Sequence, residues 1–139
     1  MAKNIYFILF IFFASNVNAE MKHHNKVHHH HKFFKVEKPY PELKLKLEKD
    51  KMDGYNLVRV ADNFTFSPDK VNQANGPNEG HAHIYINGKK TRQYSPYFHI
   101  SDAMLKRGNN DLRVCLHAND HSYLVINMRK IQKSLIIKK

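Results

Sequence analysis

The chain has 139 residues, enough for one domain, and carries 23 Lys and Arg against 12 Asp and Glu, a formal net charge of +11 with histidine neutral. Its single cysteine excludes an internal disulfide. Nine Phe and seven Tyr, with no Trp, are enough to build a modest core.

The N-terminus reads as an export signal. Lys3 supplies positive charge, Ile5 to Phe13 form an unbroken apolar run, and Val17-Asn18-Ala19 places small residues before Glu20. The run falls short of the about 20 apolar residues that span a bilayer. Residues 1–19 are therefore expected to be a cleaved signal peptide. The mature chain would have no transmembrane segment and would be periplasmic or secreted from a bacterium. Residues 20–35 follow as a low-complexity stretch. His23, His24, His28, His29, His30 and His31 stand there among Lys22, Lys26, Lys32 and Lys35. Such a tract has little to bury and is expected to be a disordered tail that binds copper or zinc loosely.

A folded domain is expected over residues 36–139. Leu43, Leu45 and Leu47 alternate with charged residues, the pattern of a half-buried strand. Asp50 to Gly54 is a turn, Tyr55 to Val60 the returning strand, and Asn63 to Ser67 a third strand with Phe64 and Phe66 inward. Val71 to Glu79 is a loop. Gly80-His81-Ala82-His83-Ile84-Tyr85-Ile86 then runs as a strand into Asn87-Gly88, a type I′ hairpin signal. Its return arm reaches about Tyr94. Tyr97 to Ile100 is a short aromatic segment, and Ser101 would cap a helical turn over Asp102 to Arg107. Asp111 to His117, Tyr123 to Asn127 and Ile131 to Ile137 complete the strands. Seven or eight short strands separated by regular turns predict an all-β fold, an antiparallel two-sheet sandwich.

The histidines carry the chemistry. Side chains alternate along a strand, so His81, His83 and Tyr85 share one face and Ala82, Ile84 and Ile86 the apolar other. Two imidazoles at i and i+2 can ligate one transition metal ion, copper or zinc, helped by His99, His117 or His121. Asp102 or Asp120 could orient an imidazole. The bland alternative is that these histidines only form hydrogen bonds. No nucleophile elbow, zinc-protease motif or phosphate-binding glycine loop is present, so no enzyme is expected. The positive charge is spread along the chain without an aromatic-plus-basic motif. An anionic envelope surface is thus a second candidate partner and nucleic acid is not.

Three segments resemble a group of small exported bacterial proteins with an immunoglobulin- or cupredoxin-like sandwich: Asn63-Phe64-Thr65-Phe66-Ser67-Pro68, Gly80-His81-Ala82-His83-Ile84-Tyr85-Ile86-Asn87-Gly88-Lys89, and Leu112-Arg113-Val114-Cys115-Leu116-His117-Ala118-Asn119-Asp120-His121. The resemblance covers about residues 36–130 and implies the sandwich fold and export. Its cupredoxin side implies copper only with the proper ligand set. Cys115, His117, His121 and Met128 match that loop poorly, because Cys115 and His117 lie two apart on one strand. The expected function is an exported, non-catalytic copper- or zinc-binding protein with a histidine-rich capture tail. The alternative is a structural or adhesion module of the bacterial envelope without a metal site.

Overall fold

The computed structural model describes residues 32–93 and 95–139. The signal segment, the histidine tract from His23 to His31 and Tyr94 lie outside the described residues. Among the described residues the chain forms eleven strands: β1 (Phe33–Lys35), β2 (Glu42–Lys49), β3 (Tyr55–Asp62), β4 (Thr65–Phe66), β5 (Glu79–Ile86), β6 (Lys89–Gln93), β7 (Tyr97–Ile100), β8 (Asn109–His117), β9 (Tyr123–Ile126), β10 (Arg129–Lys130) and β11 (Gln132–Lys138). They build two sheets. The smaller is β2-β3-β7. The larger is centred on β8, with β5 on one side and β11 and β9 on the other. Strands β4 and β6 pair with β5, β1 extends the sheet beyond β9, and β10 pairs with the edge of β9 opposite β1.

The alternation in β5 and β8 decides how the sheets face. Ala82, Ile84, Ile86, Leu112, Val114 and Leu116 are all buried and point into one core. They meet Leu43, Leu57 and Ile100 of the smaller sheet in that core. Each such aliphatic side chain contributes about 1.5–3 kcal/mol through removal from water. The Asn87-Gly88 turn forms as expected, with φ of 49° and 81° at its two central residues. The Asn87 side chain also ties the turn to β8, donating from Nδ2 to Asn110 Oδ1 (2.8 Å) and accepting from the Asp111 N–H (3.1 Å).

The structure corrects the expectation in four places. The larger sheet is mixed: β1 runs parallel to β9, and β4 parallel to β5. Neither pair is joined by a hairpin, so nothing forces the antiparallel sense. The strands beyond the expected seven or eight are β1, β7 and β10, of two to four residues each and too short to show a clear period, while the strand expected over Asn63 to Ser67 shrinks to the two residues of β4. The ordered chain begins before residue 36, because Phe33–Lys35 of the expected tail forms β1 and Phe34 packs against the core. The helical turn is also shorter than expected. It is a 3-10 turn over Asp102–Met104, ended where Leu105 turns extended and buries its side chain.

Candidate metal centre

The face opposite the core carries the histidines. In the β5–β8 ladder His81 stands opposite His117, His83 opposite Cys115 and Tyr85 opposite Arg113. Residues directly opposite share a face, so all six project from the outer side of the larger sheet. Gly80 makes the approach possible. Its φ is +150°, and a Cβ built there would sit 2.0 Å from the His117 carbonyl oxygen. Only glycine lets β5 and β8 close up immediately before His81.

His121 arrives from the turn between β8 and β9. Its φ is +67°, in the left-handed region that histidine visits more readily than most residues. The turn is held from both sides. Ala118 N–H donates to the Ser122 carbonyl (2.9 Å), and the His121 N–H donates to the Ala118 carbonyl (3.0 Å). Fully buried Asn119 donates to Glu79 Oε1 (2.9 Å) and the Ala74 carbonyl (3.2 Å), and accepts from Ser67 Oγ (2.9 Å). Hence the loop before β5 and the turn after β8 are one hydrogen-bonded unit, and that unit offsets the strain at His121.

Three ring nitrogens converge. His81 Nε2 lies 3.1 Å from His83 Nε2 and 2.9 Å from His121 Nδ1, and all three nitrogens lie within 4.8 Å of one another. A tetrahedral ion with Zn–N bonds of 2.0–2.1 Å would space its ligand nitrogens by about 3.3 Å. The two spacings from His81 fall within a few tenths of an ångström of that value, and His83 and His121, within 4.8 Å, would close onto a shared ion. The His121 Nε2–H donates to Asn72 Oδ1 at 2.8 Å, which leaves Nδ1 with the lone pair facing His81. Asn72 therefore does for His121 what an orienting residue does for a metal ligand.

His117 sits beside the trio and is not one of it. Its ring stacks on His83 with centroids 3.8 Å apart, and its Nδ1–H donates to the His121 carbonyl at 2.9 Å. His99, expected as a possible helper, is placed elsewhere. It lies on β7 in the smaller sheet, with Nδ1 3.0 Å from Asn56 Oδ1 and Nε2 3.6 Å from Asp53. Asp120 does not orient a ring either: its carboxylate accepts from the Ser122 N–H at 2.9 Å. Asp102 belongs to the 3-10 turn and pairs with Lys49 at 3.8 Å. The tail ligands His23, His24, His28, His29, His30 and His31 lie outside the described residues. Cys115 is buried and donates to Gln132 Oε1 at 3.3 Å, and burial pushes its thiol pKa up. Met128 is exposed on the β9–β10 turn. These two placements leave no cysteine–methionine copper loop.

The electrostatics keep His83 and His117 neutral. Burial, then the neighbouring His117 and His81, then Lys90 and His121, lower His83 from 6.5 to about 2. Burial lowers His117 to about 4, against the opposing pull of its bond to the His121 carbonyl. A neutral imidazole is the form that ligates a metal. Nothing in the local pattern singles out Asn72 or Asn119. Their partners lie 49 and 40 residues away, and no local pattern encodes such contacts.

Compared with protein families, curated proteins and solved structures, the chain matches none. Among the described residues no helix is long and apolar enough to cross a membrane.

Proposed function

We propose that the protein is an exported, non-catalytic binder of a divalent transition metal, copper or zinc, with His81, His83 and His121 as ligands and the histidine tract as a loose capture tail. The observation that carries this reading is the convergence of three imidazole nitrogens from β5 and the β8–β9 turn, all within 4.8 Å. A bidentate His-x-His pair on one strand is common chemistry; a third imidazole held by a strained, fully bonded turn is a built arrangement.

The tail supports the same reading. The Tyr123 N–H donates to the Lys32 carbonyl at 2.9 Å, and the Tyr123 ring packs 4.4 Å from that of His117. His31 precedes Lys32 in sequence. Lys32, which follows the tract in sequence, thus pairs beside the site, and ligands tethered through it would raise the local metal concentration. Export rests on residues 1–19 and on the resemblance to exported sandwich proteins.

The test is calorimetric titration of the mature chain with Zn(II) and Cu(II), with the six tail histidines replaced by serine. One ion bound with sub-micromolar affinity, abolished by His81→Ala with His83→Ala, is the expected result. Loss of all affinity with the tail histidines would leave the imidazoles as a hydrogen-bonded brace and favour the envelope-module alternative.

A further inference from the structure

A groove of about 690 Å³ opens beside the histidines on the outer face of the larger sheet. Its size is that of a small-molecule site. Three cations from three different strands line it: Lys90 of β6, Arg113 of β8 and Lys130 of β10. No carboxylate lines it among the described residues. Two of the cations are held in place by rings, with the Arg113 guanidinium 4.6 Å from the Tyr85 centroid and the Lys130 ammonium 3.6 Å from that of Tyr123. Arg113 Nε is buried with no hydrogen-bond partner among the described residues.

His117 supplies the second, independent observation. It is 2 % exposed and lines the groove. Its Nδ1 proton is spent on the His121 carbonyl, so in the neutral ring Nε2 is a lone-pair acceptor. That Nε2 is buried and has no hydrogen-bond partner among the described residues. An orphaned buried acceptor costs about 1–3 kcal/mol unless something donates to it. The groove thus presents cations for anionic oxygens and one buried acceptor for a hydrogen.

We propose that this groove binds hydrogenphosphate, a phosphate-class oxyanion that keeps a P–OH near neutral pH. A P–OH donates to His117 Nε2, and the remaining oxygens face Arg113, Lys90 and Lys130. Sulfate has the same shape and charge type but carries no hydrogen near neutral pH. A phosphodiester, whether in lipid or nucleic acid, has no P–OH either. A phosphomonoester, with its second ionisation at about 6, is mostly without one too. The His117 acceptor therefore selects hydrogenphosphate, since a site built to pair one hydrogen bond discriminates strongly against a ligand that leaves it unmade. The proposal does not rest on the metal reading, because it needs no ion at the trio.

The experiment is calorimetric titration of the metal-free mature chain near neutral pH with inorganic phosphate, with sulfate, and with vesicles of phosphatidylglycerol. Phosphate is expected to bind at least tenfold more tightly than sulfate. Arg113→Met should weaken both anions. His117→Asn keeps a donor for the His121 carbonyl and deletes the acceptor, so it should abolish the preference while leaving sulfate binding unchanged. Equal affinity for the two anions, an unchanged preference in His117→Asn, stronger binding to the vesicles than to phosphate, or no phosphate binding at millimolar concentration would each overturn the proposal. Metal titration of the same samples tests the trio separately.

Discussion

Acidifying the metal-free protein should destabilise it strongly well before its carboxylates titrate. His83 and His117 are buried as neutral rings, at about 2 and about 4 against an ordinary 6.5. Between pH 6.5 and 4 the unfolded chain binds these two protons and the folded chain does not. Stability is therefore complete above 6.5 and falls as pH drops through that window. At the limit each group costs about 1.4 kcal/mol per pH unit. Integrated from pH 7 to pH 5, the two together remove roughly 4 kcal/mol, a large share of the about 5–15 kcal/mol typical of a domain. The charged groups facing these rings act in the same direction, with Lys90 and the His121 ring beside both, His117 and His81 beside His83, and Lys130 beside His117, while the His121 carbonyl alone opposes them at His117. Asp50, Glu79 and Asp120 have carboxyls held below their ordinary range, so their contribution is lost only at lower pH. The assay is urea denaturation of chelator-treated protein at pH 7, 6 and 5, with His117→Asn removing about half of the dependence. A free energy constant to within about 1 kcal/mol across that range would refute the account of neutral buried imidazoles.

Three further perturbations probe other parts of the architecture. Gly80→Ala should cost roughly 2 kcal/mol or more and lower metal affinity, because the new methyl must push β5 away from the His117 carbonyl oxygen 2.0 Å from it; denaturation and zinc titration of one sample read both effects. Asn72→Ala removes the acceptor of the His121 Nε2–H from an exposed position. It should weaken metal binding about 10–100-fold with little change in melting temperature, and a large drop in melting temperature instead would make Asn72 a structural residue. Arg59 is 1 % exposed, and its two terminal nitrogens have no hydrogen-bond partner among the described residues, so burial lowers it to about 10. Replacing it by methionine should leave stability unchanged or raise it by about 1 kcal/mol or more, and a marked loss in thermal melting would show that the guanidinium is paired in solution.

Much of the larger sheet was legible from periodicity. In β5 and β8 one apolar residue in two is enough to say which face meets the core, so the outward direction of His81, His83, Cys115 and His117 follows from the sequence alone. Asn87-Gly88 likewise fixed its hairpin, since few other dipeptides accept two positive φ values. The short strands β1 and β10 were illegible for the opposite reason: pairs and triplets of residues have no period.

Which histidines meet was decided only in three dimensions. By spacing, His99, His117 and His121 were equally good companions for the His81 and His83 pair. The register of β5 on β8 brought His117 alongside, and the positive φ at His121 swung its ring over His81. The pairing of β7 with β3 carried His99 to the other sheet. Lys90, Arg113 and Lys130 stand on three strands and share one groove for the same reason. Local sequence sets the direction of a side chain on its own strand; its neighbours across the sheet come from long-range pairing that no short window encodes.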